Sequence, residues 1–217
     1  MGNPNQPRDS RGRWTKGFSA GAVVLAVAGG SVAVSSGGAL GGGASSAGRV
    51  GAGNASARVS KGKESARTGK REATWDRLVL KRVKEIAKPA LVCAVESYGQ
   101  VQQFFLRTPC RSLDRILMSL ADGPQDVFAV SVSWVRMRST AAARSLQKLA
   151  DADGTGNVSP LPGELIGAGR IRWTGTNYAS RRAGTLVVIA EVEPLRGTPD
   201  PGLMDGVAEI AVEFPPP

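Results

Sequence analysis

Oxygen-bearing side chains recur at every second position of residues 151–159 (DADGTGNVS), a spacing typical of a calcium-binding loop. In an EF-hand loop, oxygen ligands occupy the odd positions near the start and a glycine allows a sharp turn, because calcium takes about six to eight oxygens. The matching oxygens here belong to Asp151, Asp153, Thr155 and Ser159. Pro162 stands where the motif requires a bidentate glutamate, so a polar, glycine-rich turn after a helix is the alternative. A low-affinity calcium site at these four residues is therefore a hypothesis, and apart from it no cofactor is expected.

Two other pairs of charged side chains could bind or act on a ligand. Glu191 and Glu193 lie two residues apart in a predicted strand and so share one face, where paired carboxylates could hydrolyse sugars. We expect both to be solvated, because acidic side chains are seldom buried without a partner. Arg181 and Arg182 lie near a predicted hairpin turn and could bind an anion, although exposed turns commonly carry arginine.

The residue types that the chain lacks narrow its chemistry. It has no histidine, which removes Ser-His-Asp and Cys-His nucleophilic sites and most zinc sites. Its two cysteines, Cys93 and Cys110, are too few for a metal site made of cysteine alone. In an exported protein they are expected to form a disulfide, whereas in the cytosol they would be two core thiols. We predict the disulfide and no catalytic residue.

A strand-strand-helix unit is predicted in the middle of the chain. Residues 127–137 (VFAVSVSWVRM) form a β-rich alternating run after an Asp-Gly-Pro turn. Residues 112–122 come before that turn and fit either a strand or a helix; as a strand they would complete a hairpin. Ser139 is expected to cap a helix that ends at Ala150.

The same order is predicted again further along the chain. Residues 170–180 and 185–193 form a second candidate hairpin, and residues 203–212 form a helix after it. Two such units predict an α+β fold with an antiparallel sheet of about four strands and helices packed on one face.

Two helices are expected before these units. Apolar residues recur at helical spacing between residues 75 and 90, with lysine and arginine on the opposite side and Pro89 as the limit. A second, shorter helix is predicted at residues 97–107, between Cys93 and Cys110. The disulfide would then close a loop over one helix and stabilise it.

Residues 105–137 (FLRTPCRSLDRILMSLADGPQDVFAVSVSWVRM) and 178–194 (YASRRAGTLVVIAEVEP) are similar to uncharacterised exported or membrane-anchored proteins of high-GC Gram-positive bacteria. The resemblance covers the C-terminal part of the chain. Because that group has no assigned activity, the resemblance implies a location and an architecture but no catalytic residue.

The N-terminal third predicts where the domain works. Residues 17–34 (GFSAGAVVLAVAGGSVAV) carry no charge and follow a basic tail at residues 1–16, as in a transmembrane anchor or a cleaved export signal. A buried helix of a soluble protein is the alternative. Residues 35–71 are rich in Gly, Ala and Ser and are predicted to be a disordered, basic linker. Residues 72–217 are then predicted to form an extracytoplasmic domain. This domain would be tethered to the membrane or, if the signal is cleaved, secreted.

Positive charge is concentrated before that domain. The chain has a formal net charge of +10, yet residues 89–217 carry twelve Lys and Arg against thirteen Asp and Glu. The basic linker could bind anionic lipid or wall polymer outside the membrane, or nucleic acid if the protein were cytosolic. No nucleic-acid partner is expected for the exported form.

We therefore expect a membrane-anchored binding or accessory module of the cell envelope. One alternative is an envelope enzyme that works without histidine and relies on carboxylates. The other is a cytosolic protein that binds nucleic acid through its basic linker. The compartment separates this last alternative from the first two.

Overall fold

The computed structural model describes residues 52–90 and 92–217. Its helices are α1 (Ala52–Arg67), α2 (Arg71–Asp76), α3 (Gly99–Arg107), α4 (Thr140–Ala150) and α5 (Pro201–Ala211), with a short 3-10 turn at Gly163–Ile166. Its strands are β1 (Lys81–Ala90), β2 (Ser112–Asp122), β3 (Asp126–Arg136), β4 (Asn177–Ala183) and β5 (Leu186–Arg196). The predicted membrane segment at residues 17–34 lies outside the described residues. Among the helices that are described, none has the length and hydrophobicity needed to cross a bilayer.

The strands form one antiparallel sheet in the order β1-β2-β3-β5-β4. The predicted α+β class with an antiparallel sheet is confirmed, but the sheet has five strands, and helices cover both of its faces. Both predicted hairpins are present, as β2–β3 and β4–β5, but residues 170–176, which were predicted to belong to the second hairpin, are not in a strand. The ambiguous residues 112–122 are a strand, paired with β3 along their whole length.

β1 is the added strand, in a region predicted to be helical. The helix ends early, at Asp76, and Val79 adopts a left-handed backbone conformation (φ 62°) in the turn that follows. Lys81–Ala90 then pairs with β2 as an edge strand. Val83 and Ile86 fit helical spacing, but Lys84 and Lys88 fit an edge strand equally well, and Pro89 is tolerated at an edge. Pairing with the long apolar strand β2 decides between the two.

The first face of the sheet, defined by Phe128, Val130, Val132 and Trp134 of β3, packs against α1, α2 and α5. Its side chains are apolar and almost fully buried. The indole Nε1 of Trp134 donates a hydrogen bond of 2.8 Å to the carbonyl oxygen of Phe214, just beyond α5. The ring of Phe214 in turn meets that of Trp75 edge-on, at a centroid distance of 5.3 Å. This face is the main hydrophobic core.

α1 belongs to that core, although it lies in the stretch where the composition predicts a disordered linker. Ala66 is fully buried, and a Cβ added to Gly62 would lie 2.6 Å from Cδ1 of Ile210 on α5. Lys63 and Arg67 form ion pairs of 2.9 and 3.0 Å with carboxylates of α5 and the residues after it. The small residues that suggested disorder are those that let α1 approach α5 closely.

The second face, defined by Ala129, Ser131, Ser133 and Val135 of β3, is covered by α3, α4 and residues 151–176. The predicted cap of α4 is confirmed, because Ser139 Oγ accepts from the backbone N–H of Ala142 at 3.1 Å. α4 and α3 pack over one end of this face. Loop residues that include the 3-10 turn pack over the other end.

The predicted disulfide joins Cys93 to Cys110, whose Cα atoms lie 6.2 Å apart. It closes a loop around α3, as expected from the positions of the two cysteines. Cys93 and Cys110 are both buried and belong to the cluster under α3 and α4. The bond therefore fixes α3 to the second face.

Candidate ligand-binding cleft

Polar side chains form a row across the centre of the second face. Pairing between strands aligns Ser131 of β3, Glu191 of β5 and Tyr178 of β4. All three are buried. A polar group costs free energy when it leaves water unless the fold supplies hydrogen bonds, and for a charge the cost is larger. This row is where the second face departs from an ordinary apolar core.

A cleft of about 240 Å³ adjoins this row, with Glu191 in its wall. Three segments supply the remaining lining: the start of α3, the turn after α4, and the residues just before β4. These segments contribute aromatic, carboxylate, amide and hydroxyl side chains, from Tyr98, Asp153, Asn157, Trp173 and Thr174. Several glycines complete the wall and leave space between these groups.

Asn157 holds the Glu191 carboxylate in place. Its Nδ2 donates to Oε1 of Glu191 at 2.8 Å, and its Oδ1 accepts from the backbone N–H of Val158, also at 2.8 Å. Asn157 and Glu191 are both buried. Because both ends of the amide are engaged, the carboxylate has one preferred orientation. A ligand that reaches an ionised carboxylate must donate to it, since a carboxylate only accepts.

Backbone hydrogen bonds join the wall that carries Tyr98 to the one that carries Asn157. The N–H of Tyr98 donates to the carbonyl of Asn157 at 3.0 Å, and the N–H of Ser159 donates to the carbonyl of Glu96 at 2.8 Å. Ser97 Oγ donates to the carbonyl of Cys93 at 2.8 Å. The disulfide therefore supports the segment that forms one wall of the cleft.

Arg115 ties the same two segments to the sheet. Its guanidinium, almost completely buried on the second face, forms an ion pair of 2.8 Å with Glu96 and donates to the carbonyl of Ser159 at 3.0 Å. Its Nε has no hydrogen-bond partner. Arg115 is a positioning residue for the cleft and does not line it.

Two glycines allow the walls to approach this closely. A Cβ added to Gly156 would collide with the carbonyl oxygen of Tyr98, and one added to Gly99 would lie 2.6 Å from the carbonyl oxygen of Thr155. Both have positive φ, 87° and 65°, which favours glycine. No other residue fits either position without displacing the opposite segment.

Tyr98 stays protonated well above neutral pH. Burial of its phenol, and to a smaller extent the negative charge of Glu191, raise the pKa of Tyr98 to about 12. Nearly half of the surface of this residue is still exposed, at 48%, as expected for a residue at the edge of a cleft. At physiological pH its hydroxyl is uncharged.

Glu193 positions the third wall. Its Oε1 accepts from the backbone N–H of Thr174 at 2.5 Å and from the Thr174 hydroxyl at 2.6 Å. The neighbouring Trp173 packs partly against the cluster of Leu161 and Ile166. The expectation that Glu191 and Glu193 are solvated is therefore wrong. Residues 151–176 fold back over the sheet and bury both carboxylates with donors.

Comparisons with protein-family models, with curated proteins and with solved structures find no match for this chain. What the cleft binds is therefore inferred from these residues alone.

The four residues of the calcium hypothesis lie in or near the wall of the cleft, and the side chains of Asp151 and Thr155 already make hydrogen bonds within the fold. Oδ1 of Asp151 accepts from the Tyr178 hydroxyl at 2.9 Å, and the Thr155 hydroxyl donates to the carbonyl of Leu149 at 2.6 Å. Asp153 lines the cleft, whereas the backbone of Ser159 pairs with other segments. Among the residues described, no group of three or more His, Cys, Asp or Glu side chains could hold a metal ion. Calcium binding stays a prediction.

Arg181 and Arg182 are not brought together as an anion site. They alternate along β4 and so point to opposite faces of the sheet. Arg181 Nε donates to the carbonyl of Val212 at 2.9 Å and lies 3.4 Å from Glu213, on the first face. Arg182 is half-buried, and its Nε has no hydrogen-bond partner. Anion binding at the two arginines stays a prediction.

Sequence reasoning did not single out Tyr98, Asn157 or Trp173. A partial signal was available in Glu191 and Glu193, which interrupt an otherwise apolar strand, LVVIAEV. An acidic residue inside such a strand indicates a buried polar site when the strand is an inner one, as β5 is. The aromatic partners come from distant segments and left no local pattern.

Proposed function

We propose that this protein is an extracytoplasmic binding module and that the cleft beside Glu191 is its ligand site. The observation that carries the proposal is convergence: three distant segments bring aromatic, amide and carboxylate groups to one cleft. Hydrogen bonds within the fold hold Glu191 and Thr174 in fixed positions. Pre-organisation of a few polar groups in a partly apolar cleft is typical of small-molecule sites and lowers the entropy cost of binding.

The cleft favours binding over catalysis. Its volume of about 240 Å³ suits a ligand smaller than those that occupy typical sites of ~300–1,000 Å³. The chain has no histidine to act as a general base, and both of its cysteines are in the disulfide. An enzyme would have to rely on Asp153 and Glu191. Turnover of a sugar polymer that is lost in Glu191→Gln would favour that alternative.

The extracytoplasmic location is supported by the disulfide, because such bonds persist mainly in oxidising compartments. The test is maleimide mass-tagging of protein taken from its native cell after acid quenching, with and without reductant. We expect Cys93 and Cys110 to react only after reduction. Free reaction of both cysteines in denatured, unreduced protein would place the domain in the cytosol and contradict the proposal.

The ligand site is tested by chemical-shift mapping of the full-length, nitrogen-15-labelled protein in detergent micelles. The probes are neutral monosaccharides, amino acids, organic cations and organic anions. At least one class should shift the amides of Tyr98, Asn157 and Thr174, and Trp173→Ala should abolish those shifts. Leu106→Ala, at an exposed position outside the cleft lining, is the control. If no class moves these amides, the cleft is not a ligand site.

A second candidate function is contact with a polyanion at the edge of the sheet. The β-bulge after Arg82 keeps Lys81, Lys84 and Lys88 on one face of β1, and all three lysines are exposed. Exposed cations of this kind attract anionic lipid or wall polymer through a field that salt screens.

Polyphosphate is the soluble probe for this second function. Replacing the three lysines with glutamine should weaken binding and reduce its salt dependence. The control removes the same charge from three exposed arginines elsewhere: Arg136, Arg138 and Arg144. Equal loss in both variants would mean that net charge alone matters and would contradict a defined surface.

A further inference from the structure

Apart from Tyr98, the ionisable side chains that line the cleft are both acidic. Asp153 and Glu191 contribute carboxylates, and neither lysine nor arginine is among the lining residues. Two carboxylates beside a partly dehydrated space repel an anion and attract a cation, because screening by water is weaker there. The charge of the lining therefore selects against phosphate, carboxylate and sulfate ligands.

The two carboxylates of the cleft also favour a ligand that carries hydrogen-bond donors. Asp153 and Glu191 only accept hydrogen bonds when ionised. The side-chain amide of Asn157 donates one of its two N–H groups to Glu191. A complementary ligand must bring its own N–H or O–H donors to these carboxylates, and hydrogen bonds to charged groups are stronger when the donor is charged as well.

The aromatic residues add a second attraction for a cation. Tyr98 and Trp173 lie in two different walls of the cleft. The faces of aromatic rings attract ammonium groups within about 6 Å, and the rings also cover the apolar stem that carries such a group. Trp173 is held partly buried against Leu161 and Ile166, so one ring is already positioned before a ligand binds.

We propose that the cleft binds a primary ammonium group carried on a short apolar stem, with Glu191 and Asp153 as its acceptors and with Tyr98 and Trp173 around it. This inference rests on the proposed function and specifies the class of ligand. A cleft of about 240 Å³ has room for such a group and a few carbon atoms but not for a large ligand. The ligand would be a small amine or an amine-bearing end of a larger molecule.

A charge series tests this inference at nearly constant shape. The full-length protein in micelles is titrated at neutral pH with n-butylammonium, n-butanol and butyrate, and the amide shifts of Tyr98, Asn157 and Thr174 are followed. We expect n-butylammonium to bind at least about tenfold more tightly than n-butanol, since one charged hydrogen bond accounts for that difference. Butyrate should not bind, and added salt should weaken the binding of n-butylammonium.

Two substitutions locate the effect. Glu191→Gln and Asp153→Asn each remove one carboxylate and should each weaken n-butylammonium binding about tenfold. Asp153 is only half-buried and its replacement should not affect folding, which keeps the test valid if Glu191→Gln is unstable. Glu209→Gln on α5 changes the net charge equally and lies on the other side of the sheet, so binding should not change.

The outcomes separate the two proposals. Equal affinity for n-butylammonium and n-butanol, or unchanged affinity in both carboxylate variants, would overturn the ammonium inference and leave the cleft as a site for neutral ligands. Shifts with calcium chloride but not with n-butylammonium would replace the ammonium with a metal ion. If neither this series nor the wider panel moved the cleft amides, the proposed function itself would fail.

Discussion

The two faces of the sheet are both buried, but different residues build them. On β3, the first face presents Phe128, Val130, Val132 and Trp134, and the second presents Ala129, Ser131, Ser133 and Val135. Three helices and the residues just after α2 and α5 cover the first face, whereas two helices and a long, glycine-containing segment cover the second. The strands are the same, so the difference lies in alternate side chains and in what packs on them.

This difference fits the proposal that one face mainly stabilises the fold and the other carries the ligand site. Apolar burial on the first face contributes about 25 cal/mol per Å² and requires only complementary shape. On the second face, Arg115, Glu191 and Glu193 lose hydration and must recover it through named partners: Glu96, Asn157 and Thr174. Polar groups that are fixed in this way contribute little net stability, but their fixed orientation would lower the entropy cost of binding the proposed ligand.

The largest expected effect is on the first face, at Trp134. Trp134→Ala should lower the free energy of unfolding by about 3–5 kcal/mol, because it removes a large buried side chain and leaves a cavity. Ser131→Ala, three residues away on the second face, should cost less than about 1 kcal/mol. Guanidinium chloride unfolding measures both. A similar loss of unfolding free energy in the two variants would contradict the idea that the first face contributes more to stability than the second.

Breaking the disulfide should have the next largest effect, concentrated on the second face. Cys93 and Cys110 are 17 residues apart, and closing a loop of that size stabilises a fold by about 3 kcal/mol. The double variant Cys93→Ala/Cys110→Ala should show faster amide exchange at Tyr98 and Ser159 than at Val212 beyond α5. Equal acceleration at all three amides would mean that the disulfide stabilises the domain globally and not the cleft wall.

Local patterns in the sequence predicted several elements of both faces but not how those elements pack. The β2–β3 hairpin and the cap at Ser139 could be predicted because their signals lie within a few residues. The strand β1 was missed because the spacing of Val83 and Ile86 fits two structures, and only pairing with β2 selects one. Tertiary pairing overrides local propensity in such cases.

The cleft could not be predicted because its parts meet only in the fold. Glu191 and Glu193 were noticed as a pair, but the donors that make their burial tolerable come from Asn157 and Thr174, in separate segments. The loop that was considered for calcium does border the cleft, through Asp153. The sequence therefore indicated one wall of the site and could not indicate what that wall faces.

Two glycines in the same turn test whether the close approach of the cleft walls matters for stability. Gly154 and Gly156 both have positive φ, 72° and 87°, but an added Cβ meets nothing within 4 Å at Gly154 and collides with Tyr98 at Gly156. Gly154→Ala should cost about 1 kcal/mol of conformational strain. Gly156→Ala should cost about 2 kcal/mol more and should weaken ligand binding, because the two walls must separate. Equal costs from urea unfolding would show that the close approach of the walls is not required.

The smallest expected effect is the shift in the pKa of Tyr98, which reports how far the cleft wall excludes water. Its pKa of about 12 lies above the ordinary value of about 10, so protonated Tyr98 stabilises the fold below pH 10, and that contribution is lost as the pH rises toward 12. The difference in tyrosinate absorbance between the native protein and Tyr98→Phe isolates this group from Tyr178, the other tyrosine. Glu191→Gln should lower the pKa of Tyr98 only part of the way, because burial is the larger cause and the carboxylate charge the smaller. If Tyr98 ionised near pH 10 in the folded protein, its environment would be as hydrated as an ordinary protein surface. The cleft would then lack the low local dielectric on which the proposed selection of a cationic ligand depends.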